Sequence, residues 1–372
     1  MLSLLLHRLL PAVSPLFFAL PCVCAFGAGA PQPLVSPGLL EHAGLQTVWK
    51  TSLPLKQDER LGRLFILGDS IYALSDQNYI MSLNRQKGNS LFSRKFAPAG
   101  FTLLGVESYE DRLIAVVGSR LIEIDPVSGR EMSSNQLGIG LTCPVVRNKG
   151  YFYMAGADSR LRVFRAQDHV KVFEAAAENE SLITSVIAGD DYVVFATAAG
   201  NVICITPDGP RRLWQFDAEA AILSPIVRDG QSLFLASKDT HVYKLRMTGG
   251  IRPIWKYQTA AILDRGPWLT RDVVYQYVND KGVTAIDKAG GKFMWDVPGG
   301  TDLLAEAEGR AYVITRQGEL FVMDNKVMKR LYSVNLAAAS KYATNMVDSN
   351  IYIADESGQV MCLRPVKQGL SE

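Results

Sequence analysis

The chain has 372 residues, 48% of them hydrophobic, and its 39 Lys and Arg nearly balance 37 Asp and Glu, for a formal net charge of +2. No basic run stands out, so the electrostatic footprint of a nucleic-acid binder is absent, and so is that of a polybasic membrane-surface segment. Five cysteines carry no CxxC or Cys/His spacing of the kind that holds a metal.

Residues 1–27 read as a secretory signal peptide. His7 and Arg8 form a short basic start, residues 9–30 carry no charge, and small residues near Val23–Ala25 or Ala25–Gly27 suit signal peptidase. An uncleaved anchor is the rival, because the uncharged run is about long enough to span a bilayer. Pro11, Pro15 and Pro21 interrupt that run. Lipid attachment at Cys22 or Cys24 is a third option, with Pro21 beside Cys22 departing from a lipobox. Residues 28–44, rich in Pro and Gly, read as a linker, 45–366 as one folded domain, and 367–372 as a short tail. The chain is thus expected to be exported and periplasmic, associated with the outer membrane in one reading.

From residue 45 onward one phrase recurs. Its clearest copy is Ala285-Ile-Asp-Lys-Ala-Gly-Gly-Lys-Phe-Met-Trp295: a strand end, a tight turn, then a strand closing on an aromatic. Asp287 is expected to open the turn by accepting backbone N–H bonds, and Gly291 to supply a positive φ. Related turns open at 84, 125, 165, 206, 246, 287, 324 and 364, a period of about 40 residues. A repeat of that length made of short strands predicts an all-β fold: an eight-bladed β-propeller of four-stranded antiparallel blades. In blade 5 the strands are expected at 224–228, 233–237, 242–246 and 253–257. Continuous apolar runs such as 192–196 and 311–314 fit strands covered on both faces.

The rings that follow the turns, Phe92, Phe173, Trp214, Trp255, Trp295 and Tyr332, are expected to wedge between neighbouring blades. Each buries roughly 200 Å², or several kcal/mol before entropy is counted. Blade 2 has Ser133 where the ring should be, and blade 8 stops at Leu363 with no outer strand. Residues 45–49 can supply that strand and the missing ring, Trp49, closing the circle and removing an exposed edge. Cys204 and Cys362 fall on opposite sides of such a ring, too far apart to be bridged, and read with Cys143 as small buried hydrophobes.

The phrase Ala285-x-Asp287-x-x-x-Gly291-x-x-x-Trp295 resembles the tryptophan-docking motif of the quinoprotein-type, pyrroloquinoline quinone (PQQ)-like propellers, and the likeness runs from Leu45 to about Pro365. Within them the chain is most similar to the BamB-type outer-membrane assembly factors. That resemblance implies a non-enzymatic, monomeric scaffold for protein partners in the cell envelope, the barrel-assembly machinery among them, with no cofactor. The other branch, the PQQ- and calcium-binding dehydrogenases or sensors, stacks the quinone on a disulfide between adjacent cysteines. No two cysteines are adjacent here, and no calcium-binding set stands out. Carbohydrate or small-ligand binding in the channel is a third reading.

Loops leading into the next blade share an apolar pair: Leu182-Ile183, Ile222-Leu223, Ile262-Leu263 and Leu303-Leu304. The resemblance implies partner docking through Leu263, Arg265 and, one blade later, Asp302; the alternative is a solvated pair beside a packed loop. His42, His169 and His241 have no nucleophile or carboxylate at a recognisable catalytic spacing, and Glu178/Glu180 and Glu306/Glu308 read as solvated loops.

Overall fold

The computed structural model describes residues 34–366, apart from 102 and 249–251. The expected signal, anchor and lipidation features at 1–33, Cys22 and Cys24 included, lie outside the described residues, as does the tail at 367–372. The described chain forms eight four-stranded antiparallel sheets. Blades 1 to 7 take residues 61–95, 103–136, 146–175, 183–217, 227–258, 268–298 and 300–335. Blade 8 combines Lys341–Ala343, Ile351–Ala354 and Gln359–Pro365 with Leu45–Ser52 from the other end of the chain. Leu45 pairs with Pro365 and Trp49 with Cys362, so the first strand closes the ring as its composition implied. First strands of blades 2 to 4 and the loop into blade 5 line one cavity, which puts first strands on the channel and fourth strands on the rim.

The turns form by the chemistry read from the sequence. Asn84 Oδ1 accepts from the amides of Gln86 and Lys87 at 3.0 and 2.9 Å, and Asp125 Oδ1 from Val127 and Ser128 at 2.8 and 2.9 Å. Those donors hold the Asp125 carboxyl below the usual range. Gly291 (φ +70°) takes the left-handed position for two reasons: a Cβ there would be strained, and it would lie 2.6 Å from the ring of Trp255. Trp49 and Phe92 likewise lie against Gly88 and Gly129, so these three rings sit on the turn of the following blade. Trp255 Nε1 donates to the carbonyl of Lys288 at 3.2 Å, Trp49 Nε1 to that of Arg85 at 3.1 Å, and Trp295 Nε1 to Asn325 Oδ1 at 2.9 Å. Tyr332 has no such turn ahead of it and donates instead to the carbonyl of Ala43 at 2.7 Å. The turn that would receive Trp214 includes Gly249 and Gly250, outside the described residues.

A second series of anchors comes from buried tyrosines. Tyr72, Tyr153, Tyr275, Tyr312 and Tyr352 are all fully buried, and each stands twelve residues before a turn-opening position. A buried phenol needs a polar partner. Tyr153 finds it in the carbonyl of Pro207 at 2.9 Å, and Tyr275 in Asn325 Nδ2 at 2.7 Å, both on the next blade.

Packing follows from this plan: the core is eight apolar clusters, one at each seam between neighbouring blades. The seam between blades 2 and 3 is the thinnest, with six buried residues against eight to eighteen elsewhere. Here Ser133 replaces the ring and donates to Glu123 Oε1 at 3.0 Å. Glu123, whose side chain is 5% exposed, also holds Arg112 at 2.8 Å and Arg147 at 3.5 Å. The Arg147 guanidinium lies 4.5 Å from the Tyr109 ring centre and 4.7 Å from that of Phe152. With no ring to receive, the turn of blade 3 carries a side chain: His169 takes the left-handed position (φ 56°) and stacks on Phe152 at 5.4 Å.

Two expectations need correction. Residues 34–44 are folded onto the propeller rather than strung out as linker. Pro37–His42 is a short helix whose N-cap Ser36 accepts from the Leu39 amide at 3.4 Å, and Leu34, Val35, Leu40 and Ala43 join the core between blades 7 and 8. The first strand of blade 5 is Val227–Asp229, not 224–228, because Pro225 has no N–H to give a ladder. The three described cysteines are free and buried, and burial pushes each thiol up to about 12.

Candidate docking face

In a four-stranded meander, the loops into the next blade and the hairpins between second and third strands lie at the same end of the strands. The apolar pairs therefore share one face of the ring. Within three of the four pairs one residue is a plug and its neighbour faces water. Ile183, Ile222 and Leu263 are 0% exposed, whereas Leu182, Leu223 and Ile262 are 38, 41 and 46% exposed. The plugs are tied down by their own backbone: Thr142 Oγ1 donates to the carbonyl of Ile183 at 2.6 Å, and Thr184 Oγ1 to that of Ile222 at 2.7 Å. Leu263, expected as a docking side chain, is thus a core residue of the seam between blades 5 and 6, and its neighbour Ile262 presents the apolar surface. Leu303 and Leu304 are fully buried as well, because they belong to the strand Gly300–Ala307 rather than to a loop.

Arg265 and Asp302 do come together, 3.8 Å apart, with side chains 48 and 37% exposed. Arg265 is oriented from three sides: its guanidinium lies 4.2 Å over the Tyr277 ring, Nη1 donates to the carbonyl of Thr301 at 3.3 Å, and its own carbonyl accepts from Gln276 Nε2 at 2.8 Å. Partial burial raises the Asp302 carboxyl above its usual range, with Arg265 pulling the other way. A half-exposed pair of this kind contributes about 0–1 kcal/mol to folding. The face can therefore offer a flat apolar rim beside a preset guanidinium, and little of the fold depends on that charge.

No catalytic constellation forms among the described residues. His42 ends the short helix and His169 is stacked in the blade 3 turn. His241 Nδ1, against the expectation of no carboxylate partner, lies 3.0 Å from the carbonyl and 3.3 Å from the carboxylate of Asp239, which also accepts from the Tyr243 hydroxyl, with no nucleophile joined to the pair. Glu306 departs from its reading as a solvated loop. It sits in a strand and accepts from the hydroxyls of Thr270, at 2.7 Å, and Tyr275. Glu178 is exposed and paired with Arg212 at 2.7 Å.

The family model described as outer membrane protein assembly factor BamB matches residues 99–297, more than half of the chain. Among solved structures the chain is similar to BamB from Moraxella catarrhalis, at 15% identity and a TM-score of 0.66, over 87% of this chain and 99% of that one. It is similar also to the computationally designed Ika8 protein, at 13% identity and a TM-score of 0.64, over 86% and 99% of the two chains. At those identities the two structures speak to the fold alone. No curated protein sequence matches. By the extent of the family match, the chain belongs to the BamB family of PQQ-repeat propellers.

Proposed function

We propose that this chain is an exported, non-enzymatic scaffold that binds protein partners at the cell envelope and serves the assembly of outer-membrane β-barrel proteins. The observation that carries the reading is positional. The span matched by the family model contains the face on which Leu182, Leu223, Ile262 and Arg265 stand exposed. An arginine held in place beside apolar side chains is the composition of an interface anchor, since little side-chain entropy remains to be lost on binding. The partner is an outer-membrane barrel-assembly protein, and the site of action is periplasmic.

The test is in-cell crosslinking followed by pull-down of the tagged full-length protein, with Arg265→Glu and Ile262→Glu beside it. Wild type should recover the barrel-assembly protein, and each variant should lose most of that recovery while melting at the same temperature. Recovery that survives both substitutions would sink the docking face; recovery of unrelated envelope proteins only would sink the assembly role.

A further inference from the structure

The channel wall built by the first strands of blades 2 to 4 and the loop into blade 5 holds a cavity of about 340 Å³. That lies at the small end of the range for small-molecule sites. Most of its wall is apolar, with Val146, Val186, Ile187 and Ile226 among the lining residues. One carboxylate, Glu107, also lines it. Burial raises the Glu107 carboxyl above its usual range, and the one opposing influence is the charge of Arg63. That guanidinium leans instead on the Phe65 ring at 5.7 Å, and no ion pair within 4 Å joins it to Glu107.

Three other polar side chains on this wall are already engaged. Arg147 is drawn away to Glu123 at 3.5 Å, Thr184 Oγ1 donates to the Ile222 carbonyl, and Ser185 Oγ accepts from the Ile226 amide at 3.1 Å. Glu107 is half-buried and accepts no hydrogen bond from a described residue, so its carboxylate is free to meet a complementary donor entering the cavity. One carboxylate is too few for a metal, and among the described residues no group of three or more His, Cys, Asp or Glu could hold one. The first strands of blades 2 and 4 are hydrogen-bonded on one side only, so alternate backbone carbonyls on their free edges face the channel as further acceptors.

We propose that this stretch of channel wall binds a small organic cation, an alkyl- or arylammonium group whose N–H donors meet Glu107 and whose apolar body lies along Val146 and Ile226. The site is distinct from the Arg265 loop, being on the channel side of blades 2 to 5, although Thr184 joins its wall to the plug Ile222.

The experiment is calorimetric titration of the full-length protein with benzylammonium, against benzyl alcohol and benzoate of the same shape. Binding of benzylammonium should exceed that of either control at least about tenfold, and Glu107→Gln should weaken it by a similar factor, as loss of one charge-assisted hydrogen bond predicts. Val146→Phe, which keeps the charge and fills the cavity, should abolish the heat, so the proposal stays testable if Glu107→Gln does not fold. Absence of binding at millimolar amine, equal binding of benzyl alcohol, preference for benzoate, or an affinity indifferent to both substitutions would each overturn it.

Discussion

The seam between blades 5 and 6 and the seam between blades 2 and 3 solve the same problem with opposite chemistry. At the first, Trp255 lies against Gly291 and its indole N–H reaches the Lys288 carbonyl, so apolar area and one hydrogen bond do the joining. At the second, Ser133, Glu123, Arg112 and Arg147 form a charged knot over the smallest apolar cluster in the ring. A ring wedge gains from removing area from water and depends little on ionisation. A buried ion cluster gains little net over apolar packing, yet it punishes the loss of any one member. The polar seam is thus more exacting about its partners than the aromatic one and less tightly packed.

The sharpest way to break the comparison is to remove each seam's centre and measure unfolding midpoints in denaturant. Trp255→Ala should cost about 3–5 kcal/mol through lost burial and the cavity left behind. Glu123→Gln should cost about 2–3 kcal/mol, because Arg147 would be left beneath the blade with its charge unmet, while half-exposed Arg112 recovers part of the loss in water. If the glutamine variant were as stable as wild type, the charged knot would be ornament rather than a joint.

The turns sharpen the same contrast. Gly129 carries φ +68° with the Phe92 ring where a Cβ would go, so Gly129→Ala should cost about 1–3 kcal/mol. His169 holds the corresponding place in blade 3 with no docking ring from blade 2, only its own stack on Phe152, and His169→Gly should change stability by about 1 kcal/mol or less. Equal penalties at the two positions would refute the link between ring and glycine.

The smallest effect concerns Glu107 in the channel, faced by Arg63 from blade 1 and by the Cys143 thiol. Its folded carboxyl is raised above 4.5 by burial, so between 4.5 and that raised value the native state binds more protons than the unfolded one. Stability therefore falls as pH rises through that window. Glu107→Gln should melt higher than wild type at pH 7, by about 1 °C for a domain of this size, and the gain should vanish below pH 4.5.

How much of this was legible in the sequence follows from what kind of information each feature carries. The turns and rings are local: Asp287, Gly291 and Trp295 lie within nine residues, and the spacing alone announces a strand–turn–strand unit. Ring closure was also readable, since Trp49 and the truncated last repeat are complementary absences. The charged knot was not, because Glu123 and Arg147 are 24 positions apart in different repeats and neither type is unusual at its place. The buried tyrosines were visible at a constant spacing before the turns, but a tyrosine in a strand is unremarkable until its hydroxyl has a partner. At the docking face, the period brings Arg265 and Asp302 together. It does not say which member of Ile262-Leu263 points outward, because a loop lacks the alternation that orients a strand. Glu306 was misread for the mirror-image reason: Glu308 beside it stands in a turn, while the ladder to the following strand runs through Ala307, which pairs with Arg310.

The pairing of Leu45 with Pro365 has a consequence in time. These partners are 320 positions apart, so at about 5–20 residues per second a ribosome needs roughly 16–64 s to make the second after the first. The earliest strand of the ring is the last to be matched, and through that interval Val48 and Trp49 stand on an unpaired edge. Seven blades can stack as they emerge, each on the one before it, but the circle has no closed state until its two ends meet. The slow step in maturation should therefore be a single late annealing of chain ends, and an added peptide matching residues 45–52 should compete with it as a decoy.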